Sequence, residues 1–328
     1  MSQLRLDPLT GRWVIIAGDR AERPSAFLTS SLPVEGGPPR PCPFCPGNED
    51  ATPPALESYG SSGMWQVRVV PNKYPAFEGN EPMIVSHVGP VFTQAPASGI
   101  HEVFILSPDH ELSWADLGET QAGLVMAALR DRMLEHMSIP GLRYSQAVVN
   151  RGREAGASLF HPHGQLLSMP FVPGETANEV AGFSRFQGNC LLCAVTDAEE
   201  EAGHRMIHAD ERVVALAPFW SGSPYEMLVI PRGHGPHLFR ADMEDLVGVG
   251  RSIQLALTAL RTRLGDVPYN IMFHSAPYRL SGDYHWHVHI VPKVTTPGGF
   301  ELGSGVLINV VPPEQAAREL RAEVGAPA

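Results

Sequence analysis

Two histidines one residue apart, in Phe160-His161-Pro162-His163-Gly164-Gln165, carry the chain's clearest chemical signal. Alternate side chains on an extended backbone share a face, so both rings would point the same way. Neutral imidazole is a nucleophile near neutral pH and a common metal ligand. Pro162 restricts the backbone between the rings, and Gly164 leaves room for a ligand to approach the main chain. A lone His-x-His is a weak signal, because ordinary surface or core histidines fall in this pattern too. A second copy strengthens it. Tyr284-His285-Trp286-His287-Val288-His289-Ile290 places three histidines on one face of a predicted strand.

Both copies belong to an internal repeat. His110, in Ser107-Pro108-Asp109-His110, precedes His161 by 51 residues, and His234, in Ile230-Pro231-Arg232-Gly233-His234, precedes His285 by the same 51. His101-Glu102-Val103-Phe104-Ile105-Leu106 lines up without a gap on Tyr225-Glu226-Met227-Leu228-Val229-Ile230. Each half opens with Cys-x-x-Cys, at Cys42 and Cys45 and at Cys190 and Cys193, which accounts for all 4 cysteines. Structural zinc takes four ligands in a tetrahedron, typically Cys and His. Cys42, Cys45, His110 and His161 supply one such set, and Cys190, Cys193, His234 and His285 supply another. A single Cys-x-x-Cys reads equally well as two small buried hydrophobes; two at matching places point to metal. Four protein ligands leave no open position, so two structural zinc sites per chain are expected. The first would hold His161 two residues from His163.

The elements that must position these groups are strands joined by short turns, with one long amphipathic helix per half. In the first half the expected strands are residues 12–17, 68–77, 101–107, 143–150 and 163–169, and the helix runs from Trp114 to Met137. The polar loop from Arg151 to Ser158 suits a phosphate. In the second half strands are expected at 212–219, 225–230, 268–274 and 285–291, with helices at 243–264 and 314–324. Residues 25–41 and 51–64 read as irregular. Each half is therefore expected to be an antiparallel sheet with a packed helix, an α+β fold. There is no Rossmann or P-loop glycine fingerprint.

The 328 residues, 43% hydrophobic, suit one large or two modest domains, and the formal charge of −11 argues against nucleic acid as a partner. No apolar run reaches the roughly 20 residues of a membrane span, and the N-terminus lacks a secretory core. A cytoplasmic location is expected.

Pro8-Leu9-Thr10-Gly11, Arg20-Ala21-Glu22-Arg23-Pro24, Cys42-Pro43-Phe44-Cys45-Pro46-Gly47-Asn48, Ser107-Pro108-Asp109-His110 and His161-Pro162-His163-Gly164-Gln165 together carry a family resemblance. Over nearly its whole length the chain resembles galactose-1-phosphate uridylyltransferases, a branch of the histidine-triad superfamily. The resemblance implies two tandem histidine-triad-like domains, a catalytic one over residues 1–176 and a second over 177–328. It implies that His163 attacks the α-phosphorus of UDP-glucose, releases glucose 1-phosphate, and passes the uridylyl group to galactose 1-phosphate. Gln165 would hydrogen-bond the phosphoryl oxygens. Arg20, Arg23, Asn72, Asn150, Gly156 and Ser158 fall where the family contacts nucleotide and phosphates, and Phe300 falls in its hexose-gripping stretch. Relatives form homodimers whose partner chain contributes to the sugar site.

Two departures accompany the resemblance. The hexose-gripping stretch of the family, Lys-Phe-x-Val-Gly-Tyr-Glu, is here Gly299-Phe300-Glu301-Leu302-Gly303-Ser304-Gly305, without the Lys, Tyr and final Glu. The family often has a second metal site free of cysteine, whereas Cys190 and Cys193 resemble the plant-type ADP-glucose phosphorylases, which move an adenylyl group to phosphate. Adenylyl transfer from ADP-glucose and nucleotide hydrolysis through the same histidine are thus the alternatives, and a non-catalytic nucleotide sensor would have no use for His163. His287 and His289 form a rival triad; they read as satisfied polar residues or as lining for a dimer-completed pocket. His237 and His274 read as surface or core histidines.

Overall fold

The computed structural model describes residues 2–22, 41–61, 64–79, 81–280 and 282–324. Arg23 and most of the loop expected over 25–41 lie outside them. The first half comprises β1 (Gln3–Leu6), β2 (Trp13–Ile16), β3 (Glu57–Ser61), β4 (Met64–Pro71), β5 (Ser86–Val88), β6 (Phe92–Gln94), β7 (Ile100–Ile105), α1 (Glu119–Ser138), β8 (Tyr144–Arg151) and β9 (His163–Met169). Then come α2 (Gly174–Arg185), α3 (Leu191–Ala202), β10 (Met206–Ala209), β11 (Val213–Leu216), β12 (Met227–Pro231), α4 (Met243–Leu264), β13 (Tyr269–His274), β14 (His287–Pro292), α5 (Gly299–Ser304), β15 (Leu307–Asn309) and α6 (Pro313–Glu323). The division expected at residues 176 and 177 falls within α2.

The two expected sheets are one. Ten strands run in the order β10-β11-β12-β14-β13-β8-β9-β7-β4-β3, each half giving five and the halves joining through the antiparallel pair β8·β13. Val148 faces Met272 across this junction, 124 residues along the chain, the same offset that relates His110 to His234 and His161 to His285. A local twofold therefore passes through that pair, and the repeat closes on itself as a dimer would.

Strand alternation assigns the two faces. Val69, Phe104, Ala147, Leu166, Ile271 and Val288 point to one side, where they share a core with α1 and α4. Arg132 and His136 of α1 reach through this layer to Glu102 of β7, both at 2.9 Å, and burial is complete around the group. The opposite face carries His163, Gln165, Asn150, Asn270, His274, His287 and His289, by the registers of β7, β8, β9, β13 and β14. Chemistry and packing are thus separated by the sheet itself.

The long helices fall close to the predicted ranges. In α4 the Asp242 side chain accepts from the Asp245 amide and caps the first turn, and Gly265, at φ +82°, ends the helix. Sequence periodicity did not reveal α2 or α3. The buried positions of α2 are Thr176, Glu179, Gly182 and Phe183, a helical stripe with a single large hydrophobe, so no apolar period marks it. β1 and β3 are also additions to the predicted strands; the residues of β3, Glu57-Ser58-Tyr59-Gly60-Ser61, alternate too weakly to show.

α2 lies against the turn formed by Asp7 to Gly11. A Cβ on Gly182 would stand 1.9 Å from the carbonyl oxygen of Leu9. On an isolated helix, Gly→Ala would stabilise by about 1 kcal/mol. Here the added carbon meets backbone, and overpacking of that kind costs about 1–3 kcal/mol. Gly182→Ala is expected to lower the melting temperature by several degrees; a rise would show that the turn does not clamp α2.

Candidate functional site

His163 is the first residue of β9 and is 6% exposed. Its Nδ1–H donates to the His161 carbonyl at 2.8 Å, which leaves the lone pair on Nε2. Burial pushes its pKa below the ordinary histidine value, so the ring is held neutral, the form a nucleophile needs. The Phe44 ring lies 5.4 Å away, and Phe44, Val70, Val103 and Ile105 form an apolar wall beside it. Phe44 sits inside the first Cys-x-x-Cys, so one short turn supplies both the wall and two donor atoms.

Gln165 follows on the same face and accepts a hydrogen bond from His101 Nε2 at 2.7 Å. Asn72, just after β4, bonds the Tyr74 amide through Oδ1 at 2.9 Å and lies beside the same His101 ring. Asn150 is on β8 next to β9, and its Oδ1 accepts from Asn270 Nδ2 at 2.8 Å. That same Asn270 nitrogen donates to the Ala155 carbonyl at 2.8 Å, clamping the loop of Gly156 and Ser158 from the second half. The loop turns at Gly152 and Gly156, at φ +83° and +88°; a Cβ on Gly152 would also stand 2.7 Å from Pro268. Ser158 is exposed, and Arg20, in the turn after β2, is half-buried without an ion pair among the described residues. Phe300 is in α5, 52% exposed, with none of the ring contacts of this site.

Both expected Cys₂His₂ sets assemble, with donor atoms within 4.8 Å of one another. In the first, His161 Nε2–H donates to the Ser107 carbonyl at 2.8 Å, so unprotonated Nδ1 faces Cys45 Sγ at 3.6 Å and His110 Nδ1 at 3.3 Å. In the second, His285 Nε2–H donates to the Pro231 carbonyl at 2.9 Å and Nδ1 faces Cys193 Sγ at 3.5 Å. Burial and the adjacent Cys190 push the Cys193 thiol up to about 12, so that thiol is poorly ionised unless a cation is beside it. This donor chemistry fits a metal ion at both places.

A third group is a correction to the reading of the second triad. Glu179 of α2 joins His274, His287 and His289, with donor atoms again within 4.8 Å. His287 Nδ1–H donates to the His285 carbonyl at 2.7 Å, the geometry of His163 repeated, and its Nε2 is buried without a partner. Glu179 accepts from His274 at 2.8 Å and from the Tyr284 hydroxyl at 2.6 Å. Burial would raise the Glu179 carboxyl, but His274 and its neighbours hold it well below the ordinary range. His287 and His289 thus turn to an interior carboxylate, and His274 is part of the set. A cysteine-free group of this kind can hold a cation, and it coexists with the second Cys₂His₂ set. His237 stacks on Phe239 at 4.6 Å as a core residue.

Glu179 comes from a helix without an apolar period, and Asn270 reaches Asn150 from the other half, so neither is visible from local sequence. His101 left a faint signal, lying four residues from Ile105 on the strand beside His163.

A strand-borne neutral imidazole of fixed tautomer, side-chain amides beside it and a histidine-anchored donor set define a histidine-triad protein. The match to known families is consistent with this. Residues 1–173 match the galactose-1-phosphate uridyl transferase N-terminal domain and residues 199–296 the HIT domain. ADP-glucose phosphorylase of Arabidopsis thaliana is 33% identical over 97% of this chain and 92% of its own length. Galactose-1-phosphate uridylyltransferase of Thermotoga maritima is 28% identical over 98% of both. A crystal structure of an Arabidopsis thaliana ADP-glucose phosphorylase with bound ADP-glucose superposes with a TM-score of 0.84, at 30% identity and 98% coverage of both chains. The chain belongs to the galactose-1-phosphate uridyl transferase family, and is a nucleotidyltransferase of that superfamily. No helix among the described residues is long and apolar enough to cross a membrane.

Asn270→Ala removes the donor from Asn150 Oδ1 and the Ala155 carbonyl together. Amide exchange across residues 152–158 is expected to accelerate while the β8–β9 ladder stays protected. Unchanged exchange in the loop would mean that Asn270 does not hold it.

Proposed function

We propose that the protein transfers a nucleotidyl group by double displacement through His163, with UDP-glucose as donor and a hexose 1-phosphate, galactose 1-phosphate in the first instance, as acceptor. The observation that carries the reading is the His163–His161 carbonyl bond, which fixes the tautomer and aims a free Nε2 from the open face of the sheet. Nε2 attacks the α-phosphorus, the P–O bond to the sugar phosphate breaks, and glucose 1-phosphate leaves with that electron pair. A phosphate oxygen of the second sugar then displaces His163 and returns it to its neutral form. Gln165, Asn150 and Ser158 would donate to the phosphoryl oxygens, Arg20 and Arg23 would supply charge, and Asn72 and the loop at Gly156 would seat the nucleotide.

Zinc belongs to the proposal, one ion held by Cys42, Cys45, His110 and His161 and one by Cys190, Cys193, His234 and His285. When bound, the ion supplies rigidity and not reactivity, since all four positions are protein ligands. So does a homodimer: α5 buries none of its residues within the chain, which suits a segment bearing Phe300 that completes a partner's sugar site. The domains proposed, 1–176 and 177–328, follow the repeat.

Adenylyl transfer between ADP-glucose and phosphate is the second reading. Favouring it are the second Cys₂His₂ set, the absence of the motif's Lys, Tyr and final Glu from the 299–305 stretch, and the likeness to the plant phosphorylase.

Incubation with UDP-glucose or ADP-glucose labelled in the α-phosphate is expected to leave acid-labile label on the peptide containing His163, and the donor that labels faster identifies the base. His163→Gly abolishes labelling with the metals retained. Label on the His287 peptide would reverse the assignment of the active half, and no label with sequential kinetics would remove double displacement. Metal analysis is expected to return at least two equivalents per chain, one fewer in Cys42→Ser, with a marked loss of stability. Fewer than two in the unaltered protein would count against the zinc assignment.

A further inference from the structure

The polarity of the Gln165 side chain is set by a residue that has no part in the reaction as described above. His101 is on β7, 8% exposed, on the same face as Gln165, since its near neighbour Val103 lies directly opposite Gln165 in the β7·β9 ladder. The Ala76 amide points at His101 Nδ1 at 3.0 Å. A backbone N–H can only donate, so Nδ1 must be the acceptor and the ring proton must sit on Nε2. Nε2 lies 2.7 Å from Gln165 Oε1 and 3.0 Å from Asn72 Nδ2, and of the two only the Gln165 oxygen can accept. The proton therefore goes to the amide oxygen, and the Gln165 NH₂ is turned outward, with no protein acceptor among the described residues.

That orientation matters because a carboxamide can be turned over at little cost. With the carbonyl outward, its lone pairs would face the oxygens of a phosphoryl group; with NH₂ outward, it donates to them. The repeat provides an internal control. Gln165 corresponds to His289, 124 positions on, but β12 pairs with β14 one residue out of step with β7 and β9, Leu228 lying opposite His289, so Glu226 takes the place of His101. There the Glu226 carboxylate lies 3.4 Å from His289 Nδ1, so the fold does not require a histidine at this place. Glu102, the next residue, anchors the strand from the opposite face through Arg132 and His136. His101 is left to act on the site side alone.

We propose that His101 is a positioning residue: it holds Gln165 with its carbonyl inward, so that the amide NH₂ beside His163 meets the phosphoryl oxygens of the transferring nucleotide. The inference rests on nucleotidyl transfer through His163, whichever base the donor carries.

The test is the single-turnover rate of label transfer to the enzyme at saturating nucleotide sugar. Removing a preorganised donor from such a site typically costs about 10²-fold, which is the loss expected for Gln165→Ala. His101→Phe, which keeps the ring volume, is expected to lose about 10-fold or more, with metal content and melting temperature little changed. In the Gln165→Ala background the same change should add less than about 2-fold, because a residue that acts through another has nothing left to act on. His101→Gln places an amide N–H near the Nε2 position and should restore part of the rate. Should His101→Phe fail to fold, His101→Asn carries the same expectation, since its carbonyl can accept the Ala76 N–H but the side chain ends short of Gln165. A full rate in His101→Phe or His101→Asn, or losses that multiply in the double variant, would overturn the inference. Absence of label from the unaltered enzyme would instead overturn the transfer reading.

Discussion

The antiparallel pairing of β8 with β13 is the constraint on which the rest of the molecule depends. Each half alone would end in an open strand edge beside its own triad-bearing strand, with unpaired backbone groups and half a core. Pairing the two edges about Val148 and Met272 makes one ten-stranded sheet, lets α1 and α4 share a single core, and brings both histidine triads to one face. It also carries Asn270 to Asn150, so the loop of Gly156 and Ser158 in one half is clamped by a strand of the other.

Within that frame the two halves were given the same chemistry and only one kept it open. The rings of His163 and His287 are both fixed through Nδ1 by the carbonyl two residues earlier, at 2.8 and 2.7 Å. What separates them is what lies in front of Nε2. Before His163 stand an apolar wall and neutral amides; before His287 stands the Glu179 carboxylate, brought by α2 and fixed by Tyr284. A carboxylate packed against the imidazoles leaves no room for an anionic substrate, and its charge would repel one. The seating of α2 on the N-terminal turn therefore decides how the two triads differ.

The donor sets obey the same economy. In each Cys₂His₂ group the second histidine gives one nitrogen to a backbone carbonyl and turns the other to a cysteine sulfur, so the chain that orients this histidine also begins the triad. The donor atoms, the carbonyl bonds and His163 form one series along β9. Rigidity of this kind is what a reaction through a covalent intermediate needs, because the same nitrogen must stand in line with one phosphorus twice, first as nucleophile and then as leaving group.

Much of this was legible in the sequence by itself: the repeat, both Cys₂His₂ sets and the long helices, because each is written in spacing along one segment. Alternation along a strand determines which side chains share a face, and that suffices to put His161 and His163 together. It does not say what stands opposite them. The junction of the two sheets, the closure of the second triad by Glu179, and the partners His101 and Asn270 were decided only by tertiary structure. Thr176, Glu179 and Gly182 show the reason most plainly: they are buried for contacts made with residues far away in the chain, so their pattern carries no apolar period to read. The tautomer of His101 shows it as well, since the nitrogen that bears the proton is chosen by the backbone amide of Ala76, and no local sequence encodes that meeting.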